Sequence, residues 1–110
     1  MKVTRSFDGQ WLDWDVEKQK MVRMELVEIL RDVDARITFT KVNGETRVIN
    51  ATLREEVVPE TKDGKKKNDS VLAVYDLDKQ AWRSFRVGSV RLVEYEVDRD
   101  VEAKWKYRYW

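Results

Sequence analysis

ARITFTKVNGETRVINATL, residues 35–53, sets β-branched residues on both sides of Asn43-Gly44. Asn-Gly accepts the positive φ that tight hairpin loops require, so the stretch predicts two antiparallel strands. Downstream, REEVVPETKDGKKKND (54–69) loses all periodicity, holds the single proline and the Lys65–Lys67 run, and reads as a loop. SVLAVYDL (70–77) and AWRSFRV (81–87) read as strands joined by Asp78–Gln80, and Gly88-Ser89 breaks the chain before VRLVEYEV (90–97). Five short strands in sequence predict a barrel over residues 35–97.

Upstream lies one helix, predicted over 16–33. Val22, Leu26, Ile29, Leu30 and Val33 recur at helical spacing, with Glu25, Glu28 and Arg31 on the other side. Asp13 or Asp15 can cap its start. Before it, VTRSFDGQWLDW (3–14) reads as a hairpin about Asp8-Gly9, or as an isolated turn there, within an N-terminal β arm of residues 1–15. The fold class expected is therefore α+β: a small SH3-like or Sm-like β-barrel preceded by one helix, with an added β arm from both termini. The whole is one domain, 1–110.

The second arm is the tail, which ends in KWKYRYW (104–110). From Val93 onward the odd positions are apolar or aromatic except Arg99, and the even ones are charged through Arg108. Period two predicts a half-buried strand, or two strands turning near Asp98-Arg99-Asp100, so residues 98–110 are read as a C-terminal strand. Folding back there would set Glu96 against Lys104 and Glu94 against Lys106. Such acids would answer the cations of the tail, whereas a nucleic-acid grip needs an uncompensated field.

Composition narrows the chemistry. The chain is 42% hydrophobic and 39% charged, which marks a folded domain rather than a disordered one. No window approaches the ~18 apolar residues of a membrane span, and no charged-then-apolar leader opens the chain; a cytoplasmic protein without a membrane partner is expected. There is no cysteine and no histidine. Thiolate sites and the commonest general base and zinc ligand are thereby excluded, so no cofactor and no enzymatic activity are expected. Glu55, Glu56, Glu60 and Asp63 share no spacing that compels a Mg²⁺ site. The net charge is only +1, but residues 36–91 hold 12 cations and 8 anions and form a mildly basic middle.

Residues 36–93 resemble the WYL-like family of Sm/SH3-barrel proteins common among tailed phages. The strand before the turn, Arg47, the Thr52-Leu53 pair and WRSFRV (82–87) carry the likeness. The segment also echoes the larger WYL domains of bacterial regulators. The resemblance implies a ligand- or nucleic-acid-sensing module, and does not extend to the FDGQWLDW arm or the aromatic tail.

Two functions of different class follow. The first is a non-catalytic, phage-type regulatory module that binds nucleic acid through Arg47, Arg83, Arg86 and the loop lysines Lys65, Lys66 and Lys67. Arginine binds phosphate with a planar fork and stacks on bases. Arg83 and Arg86 fall on opposite faces of a regular strand, so a bulge or a strand end is needed to gather them. The second is an effector that modulates a host protein through its aromatic arms. Of 12 aromatic residues, 7 lie in those arms, and Trp11 and Trp110 fall on the polar faces of their strands as candidate anchors. The oligomeric state is not specified by either reading.

Overall fold

Strand β2, Ala35–Thr40, is the centre about which the chain is built. The computed structural model describes residues 1–7, 16–59 and 71–109. In chain order it comprises β1 (Lys2–Ser6), α1 (Val16–Asp32), β2, β3 (Thr46–Thr52), β4 (Val71–Asp76), β5 (Ala81–Arg86), β6 (Val90–Glu96) and α2 (Arg99–Tyr109). The six strands form one sheet in the order β1-β6-β2-β3-β4-β5, every pairing antiparallel.

The β2–β3 hairpin forms where Asn43-Gly44 predicts it, with one refinement. Thr40 faces Thr46, and Lys41 and Glu45 are joined by the Lys41 N–H to the Glu45 carbonyl at 2.7 Å. Three residues therefore make the loop. Gly44 sits at φ +88°, the left-handed position where a side chain would be strained. The Asn43 side chain accepts the Glu45 N–H at 3.0 Å.

Alternation then sorts the sheet. Ala35, Ile37 and Phe39 of β2 are buried, and they face Ile49 and Ala51 on one side and Val93 and Val90 on the other. A register shift between Thr38 and Phe39 gives β6 one extra residue and bends the sheet. Against this concave face α1 lays Val22, Leu26 and Leu30, which meet Leu72, Val74 and Val87 in a single core. All five apolar positions of the predicted stripe are buried. At its end the Leu30 carbonyl accepts the Leu53 N–H at 2.9 Å, so a carbonyl the helix leaves open is satisfied by the sheet. Nearby, Arg54 holds Asp34 with two hydrogen bonds of 2.8 and 3.1 Å. The bond to Asp34, more than the opposing desolvation, raises its guanidinium pKa above the ordinary value.

The sheet does not close into a full barrel. β3 and β4 pair only at Ala51↔Asp76 and Thr52↔Tyr75, reinforced by the Leu77 N–H to the Asn50 carbonyl at 2.8 Å. Beyond that short seam the β4–β5 hairpin swings away, and β5 is left as an edge strand. A 3-10 turn at Val87–Ser89 then carries the chain from β5 to β6, beside Phe39.

The tail corrects the sequence reading. Residues expected as a C-terminal strand over 98–110 form helix α2 through Tyr109. Asp98 caps it: its side chain accepts the Val101 N–H at 2.8 Å and its carbonyl the Glu102 N–H at 2.9 Å. Glu102, Ala103, Lys104, Lys106 and Arg108 are strong helix formers, and Asp100 and Glu102 suit the positive end of the helix dipole. Val97, Val101 and Trp105 lie four apart, so the same odd positions also make a helical stripe. Ala103, which a strand would bury, is exposed. The expected pairs of Glu96 with Lys104 and Glu94 with Lys106 give way to Lys104–Asp32 at 2.6 Å and Lys106–Glu102 at 3.9 Å.

From the N-terminal arm, β1 pairs with β6 and Phe7 enters the core. The Asp8-Gly9 turn and the caps at Asp13 and Asp15 lie outside the described residues.

Candidate functional site

Arg47, Arg83 and Arg86 line one open cleft of about 730 Å³. The cleft occupies the seam the sheet leaves unclosed, between the β2–β3 hairpin and β5. Arg47 stands on β3 directly across from Phe39. Arg83 and Arg86 do project to opposite faces of β5, because Arg83 is level with Val74 and Arg86 with Val71. They border the same cleft because β5 is an edge strand, which the cleft wraps, and because Arg86 is its last residue. The strand end required to gather them is present.

Carbon forms the floor. The Phe39 and Phe85 rings stack at 5.2 Å with 21° between their planes, and both are buried. Trp82 flanks them on the outer face of β5, 38% exposed, with its ring set edge-on to Tyr75 at 5.7 Å. Val42, in the hairpin loop, is almost wholly exposed at the rim.

The cations differ in how far their charge is answered. Arg83 Nε lies 3.0 Å from Oδ2 of Asp76, whose carboxylate is buried. Its N–H does not aim along that line, so the contact is an ion pair without a hydrogen bond. Asp76 is itself fixed by the Asp78 and Lys79 N–H groups, at 3.0 and 3.2 Å, in the β4–β5 turn. Lys41 meets Glu45 at 3.9 Å on the surface, a contact of little strength. Arg47 and Arg86 have no ionic or hydrogen-bonding partner among the described residues, and no acidic residue among them lines the cleft. The result is a concave, carbon-floored surface whose rim carries two guanidinium groups, Arg47 and Arg86, that no described acid answers.

Lys65, Lys66 and Lys67 lie outside the described residues, as do Trp11 and Trp110. What sequence reasoning missed is Trp82, and the Phe39–Phe85 pair that lines the same cleft. The signal was available for Trp82, since alternation in AWRSFRV places it beside Arg86 on the face that Phe85 does not share.

A second cluster lies at the other end of α1. The Asp32 side chain is 4% exposed and accepts Lys104 Nζ and Trp105 Nε1, each at 2.6 Å. The Trp105 ring stands edge-on to Tyr95 at 6.0 Å. Here the charges answer each other, and the cluster holds α2 to the body.

A curved, incompletely closed antiparallel sheet carrying one helix across its concave face is an Sm-like SH3 β-barrel, a fold that typically serves binding rather than catalysis. The WYL_2 family, which has this fold, matches residues 23–90, and the chain belongs to it. The match takes in most of α1 and every lining residue of the cleft; β1 and α2 lie beyond it. No curated protein and no solved structure matches the chain.

Proposed function

We propose that the chain is a non-catalytic, phage-type regulatory module that holds nucleic acid by its phosphates at the cleft between β5 and the β2–β3 hairpin. The observation that supports this is the convergence of Arg47, Arg83 and Arg86 on a concave surface that no acid among the described residues lines. Guanidinium groups without internal partners are ready to take phosphate oxygens in pairs. Lys65, Lys66 and Lys67, outside the described residues, are proposed as further phosphate contacts. Capture of a host protein by Trp11 and Trp110 draws no support from the described residues.

Fluorescence anisotropy with labelled oligonucleotides across a salt series tests the reading. Affinity should be weak, micromolar or poorer, and Arg47→Ala with Arg86→Ala should abolish it while leaving the melting temperature unchanged. Two or three single-strand phosphate contacts imply a log–log salt slope of about −1.4 to −2.1. Salt-independent binding, or none at low ionic strength, rules the reading out.

A further inference from the structure

Resting on that reading, we infer that the cleft selects a single strand over a duplex, by stacking a base on Trp82 while Arg47 and Arg86 hold the flanking phosphates. A surface that meets only the outside of a duplex needs cations and little else, because the phosphate ridge is all that reaches it. This cleft is built otherwise. Its floor is the stacked Phe39–Phe85 pair, and Trp82 remains 38% exposed although it sits beside that floor. Its volume of about 730 Å³ falls within the range of sites that receive a small organic group. A duplex would leave the exposed face of Trp82 wet, whereas an unpaired base can cover it, and every base has a face to stack.

The side chains divide the work. Tyr75, set edge-on to Trp82 at 5.7 Å, limits the orientations the indole can take, so little freedom is lost when a base arrives. Arg47 and Arg86 lie on either side of the floor without partners among the described residues, and are the two phosphate ligands. Arg83 is different. Its charge is already shared with buried Asp76, so it is not one of the phosphate ligands. The three arginines are therefore not equivalent.

The test titrates the full chain at low salt with labelled oligothymidylate, oligouridylate and a mixed-sequence duplex of equal length, and competes each with poly-glutamate. Either single strand should bind at least tenfold tighter than the duplex, and the two single-strand arms separate DNA from RNA as the source. Trp82→Ala should lose roughly 5- to 150-fold in single-strand affinity, the range for removing one base–aromatic stack, and leave duplex binding unchanged. Trp82→Phe, which keeps a face to stack, should recover most of the loss. A merely structural role of the indole would instead weaken duplex and single-strand binding alike in Trp82→Ala, and that result overturns the inference. Equal affinity for duplex and single strand, or no effect of Trp82→Ala, overturns this inference and leaves phosphate binding standing. Absence of binding to all three nucleic acids overturns both. Displacement by poly-glutamate as effective as by oligonucleotide overturns it in favour of an acidic peptide.

Discussion

Asp32 ends α1 with a negative charge, where the helix dipole already places a partial one. An acid at that position is unfavourable by itself, and its place in the chain is explained by what it holds. Lys104 and Trp105 both reach it, and its carboxylate is almost wholly covered. Asp32→Ala strands the Trp105 N–H and should cost about 2–3 kcal/mol, the scale for a buried partner removed from a charged hydrogen bond. Lys104→Ala should cost under about 1 kcal/mol, since that side chain is mostly exposed. Thermal melts of the two variants check this, and equal losses would contradict it. The neighbouring Tyr95 contributes a pH dependence. Burial first, and Glu25 second, lift its hydroxyl above its ordinary value of 10.0, with Arg5 opposing. The folded state then keeps a proton that the unfolded chain has released. That stabilisation is complete below about pH 10 and is lost as pH climbs through the folded value. Tyr95→Phe should accordingly lose less melting temperature than the parent between about pH 9 and 11.

Among the elements, α2 shows where sequence and structure part. The Asn43-Gly44 hairpin, the α1 stripe and the strands on either side of Asp78–Gln80 were legible because one local signal dominated each. In the tail two signals were superimposed: Val97, Val101 and Trp105 satisfy periods of two and of nearly four alike. The arbiters were the Asp98 cap and the run of helix formers from Glu102 onward, which a reading by alternation passes over. The cleft was legible in part. Its arginines could be named, but the unclosed seam that gathers them depends on where β3 and β4 stop pairing, which no local pattern encodes. A proline separates the two readings of the tail. Ala103→Pro falls inside α2 on an exposed position, so it should cost about 3 kcal/mol of helix and lower the far-ultraviolet helical signal. In a strand at the sheet edge the same change would leave that signal untouched.

For the molecule as a whole, the core and the cleft use opposite sides of the same incompleteness. α1 covers the concave face, and the opening beyond the β3–β4 seam is left to β5 and its neighbours. The other edge strand, β1, is mostly exposed and is secured by β6 alone among the strands. Amide hydrogen exchange should find β1 among the least protected strands and β2 among the most, since β2 is bonded on both sides. Uniform protection across the sheet would refute that ranking. The Met1 ammonium donates to the Val97 carbonyl at 2.8 Å, and Met1 accepts the Val97 N–H at 2.8 Å in return. These bonds join residues 96 positions apart, so closing them requires nearly the whole chain to be in place. The β2–β3 and β4–β5 hairpins close loops of only a few residues and can form early. Folding order then runs against the order of synthesis: β1 leaves the ribosome before every other strand and must wait for β6 to give it a seat.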